Sequence, residues 1–561
     1  MTNVALGTDV FTKFREKEAL YIDKSLFVRD IIDDSAEVIL LTRPRRFGKT
    51  LNMTMLKAFF AINEKEDYSN YFKDLKIWQC GDKYTSHFGK YPVLFMSLKD
   101  IESRNWEDCF EGLKLKISSL FKEHKEVVES LDEDDKDLYR QIITCRANKA
   151  TFEQSIGKLS SWLDKYYNQK VILLIDEYDA PINDGYNHGF GEEVVIFMKN
   201  MFSYAMKTNE SLGKAVITGL TKIAGKSLFS KLNHFTSYNV LKKEYSEYFG
   251  FVEEEVIDAL NKCGVLHSMQ EIRDWYNGYN FGGTTPIYNP WSIMNVCAFP
   301  DEKLKSYWIN TSSDGALGSI LQNVSISVKE KLNALTNGES FELTLKDDVT
   351  YENLQKQSDV LWSFLLYAGY LTTKESTEDN AIFYVPNYEV RKALIHTMER
   401  WITDQTGGTD EVDIMIQAML TGNQKLFVKK LSKFVFNGFS YFDVTKTEPE
   451  KVYHAFILGL LSHIRDGYYF NSNPVSGEGR DDVLIMSKAI EFSNDAVILE
   501  FKQTEEKEEL EAMAKEALEQ IKSKQYVEEA FKRGAKNIYI YGIGFCGRDI
   551  KVLMENIDSN M

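Results

Sequence analysis

A short basic loop near the start of the chain carries the residue types that bind a chain of phosphates. The stretch LLTRPRRFGKT ends in Gly48, Lys49 and Thr50, which satisfy the last part of the pattern G-x-x-x-x-G-K-[ST]. Backbone N–H groups at a helix N-terminus, together with the helix dipole, favour an anion. We therefore expect Lys49 to reach the β- and γ-phosphates of a nucleotide and Thr50 to hold Mg²⁺.

The loop departs from this pattern at its first position, where Arg43 replaces glycine. Gly48 is retained beside the lysine, where the backbone must approach a phosphate most closely. The arginines of the loop either add phosphate contacts or face a neighbouring subunit, and the simplest alternative is a basic loop that caps a helix. The residues predicted to line the nucleotide are Arg43, Pro44, Arg45, Arg46, Phe47, Gly48, Lys49 and Thr50.

A pair of acidic residues supplies the groups for Mg²⁺ and water that the phosphate loop lacks. The apolar run VILLIDEYD ends in Asp176, suited to orient Mg²⁺, and Glu177, suited to position the attacking water. Acidic residues often end buried strands, so the pair alone is weak evidence. Its combination with the loop, and the strand YPVLFMSL between them, predicts the ATPase class with a glutamate directly after the aspartate. Thr218 senses the γ-phosphate or is structural, and Lys222 and Lys226 are further candidate cations.

A second constellation lies near the C-terminus, in GEGRDDVLIMSKAIEFSNDAVILEFKQ. Residues two apart on a strand share a face, so Glu500 and Lys502 point the same way. With Asp482 on a neighbouring strand, two carboxylates and a lysine suit a metal-dependent attack on a phosphodiester, in which Asp482 and Glu500 hold Mg²⁺. Gln520, on the following helix, is expected to brace this site. The alternative is a solvated strand face with Asp482 as a turn residue.

The secondary-structure pattern around these candidate residues divides the chain into three regions. Short apolar runs alternate with helical patterns up to about residue 245, which predicts a parallel sheet covered on both faces, of the ASCE type of P-loop NTPase. The range 246–424 reads as mostly helical and rich in aromatic residues, a lid or linker. From 425 onward the predicted order is a helix over 449–464, the three strands GYYFNS, DDVLIM and DAVILEFKQ, a long charged helix, and the strand NIYIYGI. We therefore predict an α/β protein with domains at 1–245, 246–424 and 425–561.

Composition restricts the function only loosely. The formal net charge of −17 argues against nonspecific coating of nucleic acid, although a local basic strip would still bind phosphate. The apolar runs are too short to span a membrane, and the N-terminus lacks a signal-peptide pattern. The six cysteines are scattered without a C-x-x-C pair. Free thiols in a reducing cytoplasm are therefore expected, without a membrane partner.

Several motifs together resemble one known family. They are YIDKS, LLTRPRRFGKT, VILLIDEYDAP, VITGLTKIAGKSLFSKLN, WYNGYNFGG, IYNPWSI, YWINTSS and the C-terminal run containing VILEFK. Over nearly the whole chain, this set is similar to the bacterial AAA-ATPase-like family, whose members commonly carry a C-terminal PD-(D/E)XK nuclease domain. The resemblance implies a P-loop ATPase coupled to a restriction-endonuclease-like fold, in mobile-element biology or defence against foreign DNA. The implied site residues are Lys49, Thr50, Asp176 and Glu177 for the nucleotide, and Asp482, Glu500, Lys502 and Gln520 for the nuclease.

Three functions fit these observations. The favoured one is an ATP-binding and ATP-hydrolysing protein, with Mg²⁺, coupled to a nuclease site that acts on nucleic acid, with DNA expected. The second is a nucleotide-dependent switch or scaffold whose C-terminal fold binds nucleic acid or a partner without cleaving it. A phosphotransferase is disfavoured, because Glu177 suits the activation of water. A homo-oligomer, in which a neighbour supplies an arginine finger, stays open.

Overall fold

The computed structural model describes most of the first 308 residues and a smaller share of the remainder. The described residues are 2–63, 66–207, 209–221, 228, 235–282, 285–308, 326–336, 338–346, 358–377, 379–395, 397, 409–438, 468–472, 483–487, 495–523, 526–532, 534–547 and 549–558. The chain divides into two compact units. The first unit is Met1–Thr311 with Ser340–Lys392, and the second is Ser312–Glu339 with Ala393–Met561.

A five-stranded parallel sheet forms the centre of the first unit, in the order β2-β3-β4-β1-β5. The strands VILLT (Val38–Thr42) and VILLID (Val171–Asp176) are buried along their whole length, because helices cover both faces of such a sheet. The order places β4 between the strand of the phosphate loop and the strand of the acidic pair, so the predicted fold class is confirmed. The strands are β1 Val38–Thr42, β2 Val93–Ser97, β3 Val171–Asp176, β4 Leu212–Gly219 and β5 Phe235–Tyr238.

Helices connect these strands and supply the remainder of the core. Two of the longer helices begin at an asparagine whose side chain accepts a backbone N–H bond from the first turn, Asn105 from Asp108 and Asn148 from Thr151. The helices of this part are α1 Phe11–Glu16, α2 Leu26–Asp33, α3 Lys49–Phe60, α4 Asp82–Thr85, α5 Trp106–Glu123, α6 Glu133–Ile143, α7 Lys149–Tyr167, α8 Ala180–His188 and α9 Gly191–Phe202.

The range 246–424 is built around helices, with short strands between them. Strands β6 and β7 form an antiparallel pair, and β8, β10 and β9 form an antiparallel sheet in that order. These strands were not predicted from the sequence, because strands of three to five residues are too short to display a clear alternation of apolar and polar residues. The elements are α10 Glu253–Cys263, α11 Met269–Tyr276, β6 Tyr279–Phe281, β7 Thr285–Ile287, α12 Pro290–Ala298, α13 Ile326–Thr336, β8 Phe341–Thr344, α14 Ser358–Ala368, β9 Thr372–Ser376 and β10 Asn380–Tyr384.

The second unit contains a five-stranded mixed sheet in the order β11-β12-β13-β14-β15. Only β13 and β14 run parallel among its neighbouring pairs. Among the described helices, α15 and α16 pack on one face of the sheet and α17 and α18 pack on the other. The elements are α15 Thr409–Leu420, α16 Gln424–Gly438, β11 Tyr468–Ser472, β12 Val483–Ser487, β13 Asp495–Gln503, α17 Leu510–Ser523, α18 Tyr526–Lys532, β14 Asn537–Cys546 and β15 Asp549–Asp558.

Most of the predicted C-terminal pattern is present in this unit. The strands predicted at GYYFNS, DDVLIM, DAVILEFKQ and NIYIYGI are β11 to β14, whereas β15 was not predicted. The helix predicted over 449–464 lies outside the described residues, as do Lys222, Lys226 and Asp482. All six cysteines are described, and each is a free thiol. No helix among the described residues is long and apolar enough to cross a membrane.

Candidate functional site

The parallel sheet brings the predicted phosphate loop and its acidic partners to one edge. Strand β1 ends at Thr42 and α3 begins at Lys49, so the loop joins a buried strand to a helix N-terminus. Gly48 has φ +80°, a left-handed conformation that favours glycine. The Lys49 ammonium is buried and donates hydrogen bonds of 3.1 Å to the backbone oxygens of Arg43 and Pro44. These bonds hold the ammonium against the loop.

Charge around the Lys49 ammonium is balanced by acidic neighbours. Burial lowers the pKa of Lys49, while Glu177, Asp179 and Asp176 act to raise it. The three carboxylates lie at or just after the end of β3, and the lysine lies beyond the end of β1, so the fold places opposite charges at the carboxyl edge of the sheet, on either side of β4. Ligands of open parallel sheets bind at this edge.

Asp176 is the centre of the hydrogen-bonded cluster. Its Oδ2 accepts a bond of 2.8 Å from the Thr50 hydroxyl, and its Oδ1 accepts one of 2.6 Å from the Thr218 hydroxyl. Ser97 Oγ lies 3.5 Å from Oδ2, at the limit of a hydrogen bond. Burial raises the pKa of Asp176, and the bonds from Thr218 and Thr50 counteract that change. The structure thus joins residues 126 and 42 positions away from Asp176 in sequence.

Glu177 occupies a conformation that non-glycine residues rarely adopt. Its φ is +51°, and its N–H donates to the Thr218 hydroxyl oxygen at 3.4 Å. A left-handed non-glycine residue costs on the order of 1 kcal/mol or more, and such residues cluster at functional sites. Its side chain is half-buried beside the charged loop. Thr218 therefore touches both members of the acidic pair.

The arginines of the loop have different surroundings. Arg43 is 0% exposed, and its guanidinium donates to the backbone oxygens of Thr42 and Tyr238 at 2.8 Å and of Glu244 at 3.3 Å. Burial lowers the pKa of Arg43 to about 9, which leaves it charged at neutral pH. These contacts make Arg43 an internal brace between β1 and the chain after β5, and a phosphate contact by its side chain stays a prediction.

Arg46 is exposed and lies over an aromatic ring. Its guanidinium carbon is 4.4 Å from the centre of the Trp291 ring, a cation–π contact, and its φ is +69°. Partial burial lowers the pKa of Arg46, and the negative charge of Glu177 opposes this decrease. Arg45 is half-buried, and its backbone oxygen accepts a 3.4 Å bond from the Trp308 indole. Two tryptophans from later in the chain therefore contact the loop.

Pro44 and Phe47 are buried below the loop. The Phe47 ring lies 4.9 Å from Tyr279 and 5.2 Å from Phe281, measured between ring centres. A side chain at position 369 would meet Pro44 at 2.8 Å, so Gly369 permits this close approach. The two residues anchor the loop to the strands of the following region, and lining of the nucleotide by their side chains stays a prediction.

Several residues at this site were not assigned a role from the sequence. They are Ser97, Asp179, Trp291, Trp308 and the buried Glu389, which accepts bonds from Ser292 and from the backbone of Tyr307 and Trp308. The motifs VILLIDEYDAP, IYNPWSI and YWINTSS contain most of them, so their polar and aromatic residues were the available signal. Nothing comparable in the local sequence marks Glu389.

In the second unit, β13 presents its residues alternately to the two faces of the sheet. Val497, Leu499 and Phe501 pack in the cluster formed with α15 and α16, whereas Ala496 and Ile498 pack in the cluster with α17 and α18. Glu500 and Lys502 therefore share the face of α17 and α18. Glu500 is 1% exposed and Lys502 is half-buried. The predicted common face is present.

The neighbouring strands bring further features to the same level of the sheet. Val483, directly after Asp482 in sequence, pairs with Leu499, directly before Glu500. On the other side, Glu500 and Lys502 pair with two glycines of β14, Gly542 and Gly544. Added side chains at these glycines would lie 2.1 Å from Ala514 O and 2.5 Å from Leu510 O. The glycines thus allow α17, which carries Gln520, to pack closely against this part of the sheet.

The residue types at both sites fit a divalent cation to different extents. At the first site, a threonine hydroxyl and carboxylate oxygens are the hard donors that Mg²⁺ prefers. At the second, Glu500 is described and Asp482 is not. Within the described ranges, no group of three or more histidine, cysteine, aspartate or glutamate residues is close enough to hold a metal ion.

The fold and the first site define an ATPase-like domain, and the second unit carries a nuclease-like domain. Residues 5–229 match the family model described as "Predicted AAA-ATPase", and residues 448–555 match that of the PD-(D/E)XK nuclease superfamily. The resemblance inferred from the sequence is therefore confirmed for both segments.

The proteins similar to this chain include one sequence relative and one solved structure. One is a protein of Azotobacter chroococcum mcd 1 described as "Uncharacterized protein in vnfD 5'region", 26% identical over 560 residues, which cover 96% of each chain. The other is a solved structure, the Walker-type ATPase PABY2304 of Pyrococcus abyssi, with 12% identity and a TM-score of 0.34 over 66% of this chain and 94% of that one.

Proposed function

We propose that this protein binds ATP with Mg²⁺ at the phosphate loop and hydrolyses it. We further propose that nucleotide state controls a metal-dependent phosphodiesterase in the second unit, which acts on nucleic acid and for which DNA is the expected substrate. The observation that supports the first part best is the bonding of Asp176 to both Thr50 and Thr218. This arrangement links the end of the phosphate loop to the end of two other strands.

The proposed hydrolysis assigns a distinct task to each residue. Lys49 binds the β- and γ-phosphates, Thr50 and Asp176 hold Mg²⁺, and Thr218 keeps Asp176 in place. Mg²⁺ at such a site neutralises phosphate charge and orients the leaving group. Glu177 orients the attacking water and accepts its proton. Arg46, held over Trp291, is a candidate for contact with the γ-phosphate.

The proposed cleavage uses Asp482 together with Glu500 and Lys502 of β13. Asp482 and Glu500 hold the metal ion, and Lys502 stabilises the charge that develops on the phosphate. Gln520 on α17 is the proposed brace, supported by the close packing of that helix against Gly542 and Gly544. Roles in defence or mobile-element biology belong to the same proposal.

Phosphate release by the full chain tests the ATPase half. We expect Glu177→Gln to lower kcat about 100- to 10,000-fold with ATP still bound, because only the base is lost. Lys49→Met should weaken ATP binding about 100-fold or more, since a buried ammonium–phosphate pair is removed. Glu193→Gln, an exposed glutamate on α9, is the matched control. Equal turnover by wild type and Glu177→Gln would refute the assignment.

Cleavage of labelled single- and double-stranded DNA and RNA tests the nuclease half, with Mg²⁺ or Mn²⁺ and with ATP, ADP or neither. Glu500→Gln and Lys502→Met should abolish cleavage, whereas the exposed control Glu508→Gln should not. If wild type binds nucleic acid as tightly as Lys502→Met and neither cleaves it, the switch or scaffold alternative replaces the nuclease.

A further inference from the structure

Two residues directly after the acidic pair, Tyr178 and Asp179, have no part in the mechanism above. Both are buried, and both bond to the chain that follows β4. We infer that they are positioning residues, which hold Glu177 in the conformation required for hydrolysis. This inference rests on the proposed ATPase function.

Asp179 fastens the loop after β4 through one oxygen. Its Oδ2 accepts hydrogen bonds from the backbone N–H groups of Leu220 at 2.8 Å and Thr221 at 3.2 Å. Burial raises the pKa of Asp179, while these N–H groups lower it. Because two consecutive backbone N–H groups bond to one oxygen, they hold residues 220 and 221 at a defined distance and orientation relative to Asp179. The Asp179 carboxylate thus acts as the hydrogen-bond acceptor that holds the loop after β4.

Tyr178 bonds to the end of β4 through its backbone and to the loop after β4 through its hydroxyl. Its backbone N–H donates to Thr218 O at 3.0 Å, and its hydroxyl donates to Thr221 O at 2.8 Å. The ring lies against Gly219, where an added Cβ would be 2.5 Å from Cε1. Hydrogen bonds consequently join the segments 176–179 and 218–221 at the carboxyl ends of β3 and β4 and just beyond them.

Glu177 lies in the middle of this joined segment. Asp176 on one side bonds to the Thr218 hydroxyl, and Tyr178 on the other bonds to the Thr218 oxygen. The Glu177 carbonyl also accepts a 3.2 Å bond from Ala180 N. A left-handed non-glycine residue persists only where its surroundings over-determine it. We call the hydrogen bonds of Tyr178 and Asp179 to residues 218–221 the clamp. Loss of these bonds therefore redirects the Glu177 carboxylate, which lowers the rate of hydrolysis more than the affinity for the nucleotide.

Steady-state ATPase kinetics and ATP affinity of the full chain test the inference. We expect Asp179→Ala to lower kcat about 10- to 100-fold, with the Kd of ATP changed less than about threefold. Asp179→Asn retains an oxygen acceptor of the same shape and should recover most of that loss. Tyr178→Phe keeps the packing on Gly219 and removes one hydrogen bond, so a decrease of about fivefold is expected. Glu193→Gln is again the control.

The possible outcomes separate this inference from the proposed function. Wild-type turnover that is lost in Glu177→Gln but intact in Asp179→Ala overturns the positioning role alone. The same role is overturned if Asp179→Asn is as inactive as Asp179→Ala, or if Kd rises as much as kcat falls. Absence of wild-type turnover overturns both. Hydrogen exchange at Leu220 and Thr221 should accelerate in Asp179→Ala, and unchanged exchange refutes the clamp itself.

Discussion

Glu389 offers a quantitative test of how the middle region supports the phosphate loop. Its carboxylate is 1% exposed, and it accepts bonds from Ser292 Oγ at 2.7 Å, Tyr307 N at 2.6 Å and Trp308 N at 2.9 Å. Trp308 in turn donates to Arg45 O in the loop. Burial raises the pKa of Glu389 to about 7, against 4.5 for an ordinary glutamate, although the three donors oppose this rise.

This difference predicts how stability depends on pH. Between pH 4.5 and about 7 the unfolded chain releases the proton while the folded chain keeps it. The stabilisation from Glu389 is therefore complete below pH 4.5 and is lost as pH rises through about 7. A pKa difference of about 2.5, at about 1.36 kcal/mol per unit, amounts to about 3 kcal/mol.

Substitution by glutamine isolates this effect, because Glu389→Gln keeps an oxygen for the two backbone N–H groups and does not titrate. We expect the free energy of unfolding of the variant, relative to wild type, to rise by about 3 kcal/mol between pH 4.5 and pH 8. Urea unfolding followed by tryptophan fluorescence at constant ionic strength measures it. Glu375→Gln, an exposed glutamate on β9, should give a flat difference. A flat or inverted difference for Glu389→Gln would show that the buried carboxylate is ionised throughout.

Three further substitutions test packing and charge in the two units. Arg43→Lys should lower the free energy of unfolding by about 3 kcal/mol, since an ammonium cannot reproduce the forked bonds to separate carbonyls; urea unfolding measures this. Gly542→Ala should cost about 1–3 kcal/mol, because its Cβ would lie 2.1 Å from Ala514 O; an unchanged melting temperature contradicts it. Lys24→Met should lower the free energy of unfolding by about 3–5 kcal/mol, because Glu255 loses the Lys24 ammonium that bonds to it at 2.6 Å. The double variant Lys24→Met with Glu255→Met should recover part of that loss.

Four of the five strands of the parallel sheet were predicted from the sequence because they are apolar and largely buried, whereas the half-buried β5 was not predicted. A strand covered on both faces must be apolar along its length, and VILLT and VILLID satisfy this requirement. Acidic and glycine-lysine segments that directly follow such strands must lie at the same edge of the sheet. The common face of Glu500 and Lys502 followed for an equally local reason, the alternation of side chains along a strand.

The partners of individual side chains were decided by the tertiary structure. From the sequence, Arg43 had the same two possible roles as Arg45 and Arg46, a phosphate contact or a contact with a neighbouring subunit. In the structure its guanidinium bonds instead to Tyr238 O, 195 residues away. The clamp of Asp179 on Leu220 spans 41 residues, and the bond of Glu389 to Ser292 spans 97. Local spacing records which face a residue occupies, but it contains no information about which distant group meets that face.

The chain by itself thus determined the positions of the phosphate loop, the acidic pair and the paired residues of β13, because each depends on residues that are near one another in sequence. The tertiary structure decided how these residues are held. It did so through buried hydrogen bonds at Asp176, Asp179 and Glu389, whose donors are distant in sequence and meet these carboxylates only in the folded protein.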